Sequence, residues 1–173
     1  DLVIPGYYGE TRGYQAHNYI YYGNANGYSP ANRETMTGNG FRGVKVKDLN
    51  GDGYLDLVFI SHYNSNGIDG YATTSEVYTG SVNGFSLLSE LPTIGGMDAC
   101  ISDLNNDGYS EILIVNHYNN NSQYATESYL YWGSASGYSI ADRDTLPSNG
   151  SRACKIEDLN ADGIQDIYLP AYD

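Results

Sequence analysis

The chain has 173 residues, 40% of them hydrophobic, and a formal net charge of −13. That is enough apolar material for one core. The negative charge disfavours nucleic acid and anionic membrane surfaces as partners, and no run is long and apolar enough to span a bilayer.

Asp1-Leu-Val-Ile-Pro5 reads as a short strand, followed by Tyr7 and Tyr8. Because the chain starts with Asp rather than Met, any secretion signal is expected to be removed or to lie outside this sequence. Tyr19-Ile-Tyr-Tyr-Gly-Asn-Ala-Asn-Gly-Tyr-Ser29 alternates like a strand and then turns at glycines. Arg33-Glu-Thr-Met-Thr37 and Val44-Lys-Val46 add two more short strands, and the second leads into the acidic loop Asp48-Leu-Asn-Gly-Asp-Gly-Tyr-Leu-Asp56. Beyond the loop, residues 56–60 (Asp-Leu-Val-Phe-Ile) form an apolar run expected to be a strand covered on both faces.

The same order then returns. Ala99-Cys-Ile101, the loop Asp103-Leu-Asn-Asn-Asp-Gly-Tyr-Ser-Glu111 and an apolar run form a second copy. Cys154-Lys-Ile156, the loop Asp158-Leu-Asn-Ala-Asp-Gly-Ile-Gln-Asp166 and another apolar run form a third, and the loops begin 55 residues apart. Tyr129-Leu-Tyr-Trp-Gly-Ser-Ala-Ser-Gly-Tyr-Ser139 repeats the segment at Tyr19, with Glu76-Val-Tyr-Thr-Gly-Ser-Val-Asn-Gly-Phe-Ser86 a looser copy. Arg143-Asp-Thr-Leu-Pro147 and Leu88-Ser-Glu-Leu-Pro92 repeat the segment at Arg33.

Four short strands per period predict an all-β fold of β-propeller-type blades. The chain is expected to be one repeat domain, 1–173: repeats 1–55, 56–110 and 111–165, then a terminal strand 166–173. About three four-stranded repeats plus one strand is short of a ring, so completion by oligomerisation is expected.

Each loop offers oxygen side chains at positions 1, 3, 5 and 9 and glycine at position 6, and the carbonyl of position 7 can add a ligand. This donor set suits Ca²⁺. The expected ligands are Asp48, Asn50, Asp52, Tyr54 and Asp56, then Asp103, Asn105, Asp107, Tyr109 and Glu111, then Asp158, Asn160, Asp162, Ile164 and Asp166. An EF-hand is excluded because position 12 holds Phe59, Ile114 or Leu169 rather than a bidentate Glu. Two carboxylates about 5 Å apart repel by roughly 3 kcal/mol at an effective dielectric near 20, which favours a cation between them. Nine of the 21 acidic residues lie in these loops, so much of the charge is assigned to ligand chemistry.

These loops between apolar strands, with Tyr-x-Tyr-Trp-Gly and Gly-Tyr-Ser, resemble the FG-GAP/VCBS repeats of integrin α propellers and of many secreted bacterial proteins. The resemblance implies about three bound Ca²⁺ per chain, a secreted or cell-surface setting, and adhesion or lectin-like carbohydrate binding rather than catalysis. By position it implies the ligands already named, with Glu111 replacing the usual Asp and altering the affinity of the second site.

A second candidate surface follows the apolar strands: Tyr7, Tyr8, His62, Tyr63, Asn64, His117, Tyr118 and Asn119, with Tyr172 near the end. Flat aromatic faces with polar tips suit a glycan or an extracellular protein partner, while strand-end packing is the structural alternative. His62 and His117 without further ligands make a thin case for zinc, and no nucleophile elbow or phosphate loop is present, so no enzyme is expected. Competing readings are a self-assembling building block, forming a homo-oligomeric ring or a filament, and a non-catalytic fragment of a larger secreted enzyme. Cys100 and Cys154 stand in equivalent strands one register apart, and are expected as buried free thiols. Asn120 and Asn149 begin glycosylation sequons.

Overall fold

A computed structural model describes residues 1–7, 16–38, 40–63, 70–119, 123–124 and 126–171. Tyr8, Asn64, Asn120 and Tyr172 lie outside the described residues. The fold is all-β, in four antiparallel sheets with no closed barrel among the described residues.

The first sheet holds β1 (Leu2–Ile4), β2 (Ala16–Tyr21) and β3 (Arg33–Gly38) in that order. The second holds β4 (Phe41–Lys47), β5 (Asp56–Ser61), β6 (Ala72–Thr79) and β7 (Ser86–Ile94). The third repeats it with β8 (Gly96–Ser102), β9 (Glu111–Asn116), β10 (Glu127–Tyr131) and β11 (Arg143–Pro147). The fourth pairs β12 (Lys155–Glu157) with β13 (Asp166–Tyr168). Each complete sheet begins with the strand before an acidic loop, whereas the sequence repeats were counted from the strand after it. The loop is a short antiparallel connection, so the strands on either side of it pair with each other.

Every residue of β5 and of β9 is buried, as the continuous apolar runs predicted. Leu57 and Phe59 pack with Ile20, Phe41, Met36 and Val44, on the side of the first sheet. The alternate residues Val58 and Ile60 pack with Ile112, Ile114 and Tyr131 of the third sheet. Ile112 and Ile114 are the repeat equivalents of Leu57 and Phe59. The front of one sheet therefore meets the back of the next.

This stacking corrects the expectation for the cysteines, because Cys100 and Cys154 form a disulfide with Cα atoms 6.0 Å apart. Equivalent residues of successive sheets point the same way and cannot face each other. A shift of one register is what brings two sulfurs into one interface.

The recurring Gly-Tyr-Ser segments have local causes. Gly27 and Gly137 adopt φ of 93° and 89°, a region closed to most side chains. Ser29 and Ser139 then cap 3₁₀ turns by accepting from the N–H of Ala31 and Ala141. Arg33 and Arg143 lie over the rings of Tyr19 and Tyr129 at 4.3 and 4.0 Å.

Candidate functional site: acidic loops and an aromatic end

Antiparallel pairing puts the acidic loops at one end of the sheets and the residues after β5 and β9 at the other. In the first loop Asp48 accepts from the N–H of Gly51 and Gly53, at 2.8 and 2.9 Å. Asn50 accepts from Asp52 N, and Asp52 accepts from Tyr54 N. Asp103, Asn105 and Asp107 make corresponding bonds in the second loop, as do Asp158, Asn160 and Asp162 in the third. The chain is thus wound around the side chains of positions 1, 3 and 5. Asp48 and Asp158 are held below the ordinary carboxylate pKa, chiefly by the N–H of Gly53 and Gly163.

Position 6 needs glycine, since Gly53, Gly108 and Gly163 have φ of 87°, 92° and 87°. Position 4 is also left-handed, at Gly51, Asn106 and Ala161. Ala161, with φ of 63°, carries a Cβ in a conformation that costs roughly 1 kcal/mol. Ala161→Gly is expected to stabilise the protein by about 0.5–1 kcal/mol in denaturant titration. A loss of stability would show that the strain is absent.

Position 9 has a role beyond the one read from sequence. Asp56 is fully buried and accepts from Leu49 N and Gly80 N, both at 2.8 Å. Burial raises its pKa. Glu111 accepts from Leu104 N at 2.5 Å and Gly133 N at 3.4 Å, and Asp166 from Leu159 N at 3.0 Å. Asp1 makes the same kind of bond to Gly23 N, at 3.0 Å. At Asp1, Asp56 and Glu111 the ninth residue therefore binds the glycine that closes a Tyr-x-Gly segment. A Cβ at Gly80 would overlap the Leu55 carbonyl, and one at Gly133 would lie 2.6 Å from that of Ser110. Position 9 faces these N–H groups, and the three carboxylates of a loop do not converge within 4.8 Å. Among the described residues only Asp98, Cys100 and Cys154 do, and there both sulfurs are spent in the disulfide.

The aromatic residues at the other end form a connected row. Ring centroids lie 6.3 Å apart for Tyr7 and His62, 5.4 Å for His62 and Tyr71, 4.9 Å for Tyr71 and Tyr118, and 5.2 Å for Tyr118 and Tyr124. Tyr63 packs edge-on against Tyr71 at 5.2 Å. Asn119 takes no part in the ring contacts and accepts from Gln123 N at 3.0 Å.

The histidines behave differently from the tyrosines. His62 and His117 are buried, and their Nδ1 atoms pair with the carbonyls of Gly96 and Gly150 in the segment that starts the following sheet. His117 Nε2 accepts from Arg152 Nε at 3.2 Å, which occupies both ring nitrogens and leaves no lone pair for zinc. Burial lowers the pKa of both imidazoles. Tyr7, Tyr63, Tyr71 and Tyr118 stay partly exposed, and Tyr124 more so. Sequence reading missed Tyr71, Tyr124, Arg42 and Arg152. The available signal was the spacing of Arg42 and Arg152, which is two repeat periods.

Residues 103–169 match the FG-GAP-like repeat family. The matched stretch runs from the start of the second acidic loop to just past β13, so the resemblance read from the loops holds there. A comparison with curated proteins finds none that matches the chain.

Proposed function

We infer that this chain is an extracellular, calcium-stabilised, non-catalytic β-propeller-type module that binds carbohydrate at its aromatic end. The observation that carries the reading is the connected ring row from Tyr7 to Tyr124, which crosses three sheets and is partly exposed at its tyrosines, with buried His62 linking Tyr7 to Tyr71. Stacked tyrosines present apolar faces to sugar rings and hydroxyls to sugar oxygens. The disulfide supports an oxidising compartment.

Calcium suits the loops because every expected donor there is a hard oxygen and the side chains of positions 1, 3 and 5 are already held by backbone N–H groups of their own loop. Asp48, Asn50 and Asp52, with the Tyr54 carbonyl, would hold the first ion, and Asp56 would join them by turning from the N–H groups of Leu49 and Gly80. The equivalent residues would hold the other two. The ion would neutralise loop charge and lock the hairpins, leaving recognition to the opposite end.

A glycan array on the calcium-loaded chain is the direct test, and a blank array would overturn the carbohydrate reading. On a positive array, Tyr71→Ala and Tyr118→Ala are each expected to weaken binding about tenfold, which corresponds to roughly 1.4 kcal/mol of lost stacking. The melting temperature should change little. Loss of stability with affinity intact would assign the row to packing.

A second reading, assembly with further strands, is favoured by the exposure of Leu2 and Ile4 on β1 and of Tyr168 on β13. Among the described residues the outer edges of both strands have no neighbouring strand, and their backbone groups suit another strand, from a second copy or from another chain. Light scattering in millimolar Ca²⁺ distinguishes a monomer from an oligomer or filament.

A further inference from the structure

β4 and β8 each carry a bulge at the same place, between Phe41 and Gly43 and between Gly96 and Asp98. The extra residues are Arg42 and Met97, and the repeat puts Arg152 at the third equivalent position. A bulge leaves its extra residue out of the ladder and re-aims its side chain. Arg42 and Arg152 are exposed, and Met97 is half-buried.

All three positions lie at the aromatic end. Phe41 is opposite Ser61, the residue before His62, and Gly96 is opposite Asn116, the residue before His117. Arg152 reaches His117 directly. Arg42 is near enough for its charge to act on both His62 and His117.

The other described cations are committed elsewhere. Arg33 and Arg143 lie on tyrosines. Lys45 and Lys155 pair with Asp98 and Glu157, and Lys47 donates to the Ile101 carbonyl. Among the described residues no carboxylate pairs with Arg42. In a chain of net charge −13, the bulged Arg42 and the repeat-equivalent Arg152 beside a tyrosine row make a local site for an anion carried on a flat ring. The guanidinium plane matches the two oxygens of a carboxylate or sulfate, and the tyrosine faces match the ring.

We propose that the aromatic end binds an acidic glycan, with sugar rings on Tyr71, Tyr118 and Tyr124 and their carboxylate or sulfate groups on Arg42 and Arg152. This rests on the carbohydrate reading above and narrows it to a charge class. The test is titration calorimetry on the calcium-loaded full chain with three tetrasaccharides of matched length, one bearing glucuronate, one sulfated and one neutral.

The acidic sugars are expected to bind at least about tenfold tighter than the neutral one at low salt, the factor set by one charge-assisted pair. The advantage should shrink as salt is raised. Arg42→Gln is expected to remove most of that preference while leaving neutral-sugar affinity within about twofold. It is the deciding variant because Arg42, unlike Arg152, does not hold a buried histidine. The preference between glucuronate and sulfate identifies the anionic group. Equal affinity for acidic and neutral sugars would overturn the proposal and leave the carbohydrate reading standing. Absence of binding to all three would overturn the proposal, and a blank array besides would remove the reading beneath it.

Discussion

Chelating calcium with EGTA is expected to lower the melting temperature of this chain by roughly 15–30 °C relative to 1 mM Ca²⁺. A site with a Kd near 10 μM contributes about 2.7 kcal/mol at a hundredfold excess of ion. Three such sites give about 8 kcal/mol, comparable with the 5–15 kcal/mol that stabilises a typical domain. For a chain of this length each kcal/mol moves the transition by about 2–4 °C. Coincident melts with and without the ion would sink the calcium assignment. Asp52→Ala, Asp107→Ala and Asp162→Ala should each lower metal stoichiometry by about one ion, since each removes the position-5 ligand of a separate loop.

The loop positions tested by those variants were legible in the sequence because the loops are local. Asx side chains bond to backbone two to five residues on, and glycine is needed where φ is positive, so a nine-residue window carries the pattern. The burial of β5 and β9 was legible for the same reason, as continuous apolar runs. The partner of position 9 was not. Asp56 meets Gly80 and Glu111 meets Gly133 across a sheet, 24 and 22 residues away. The glycine itself was visible at the end of each Tyr-x-Gly segment, but its cause at Gly80 and Gly133 is the approach of another segment's carbonyl.

The aromatic end divides along the same line. Its residues after β5 and β9 were found by their equivalence under the repeat. Tyr71 and Tyr124 were not, because the chain from Asp56 to Gly80 is two residues longer than that from Glu111 to Gly133, which shifts these tyrosines out of the 55-residue spacing. Arg42 gave no local signal, since a bulge depends on how two strands register and no one-strand pattern reports it. The tyrosines and histidines looked alike in sequence and separate only by burial, with His62 and His117 each holding the carbonyl of the next sheet.

The disulfide went unread because faces were compared within one strand rather than across two stacked sheets, and its removal should have the second-largest effect. Cys100 and Cys154 are 54 residues apart, and closing a loop of that size stabilises the folded state by roughly 4 kcal/mol in the chain-entropy account. Reduction in saturating Ca²⁺ is therefore expected to lower the melting temperature by about 8–16 °C. The loss should also be local. The fourth sheet has two short strands with no fully buried residue. Beyond the disulfide it is tied to the third sheet by Ser102 to Gln165 and, through the segment leading into β12, by His117 to the Gly150 carbonyl and to Arg152. β5 is covered on one face from the first sheet and on the other from the third, away from the fourth. Hydrogen exchange on the reduced protein, or on Cys100→Ser with Cys154→Ser, should accelerate at residues 155–157 and 166–168 while β5 stays protected. Unchanged exchange and an unchanged melt would mean that the interface between the third and fourth sheets stands without the covalent link.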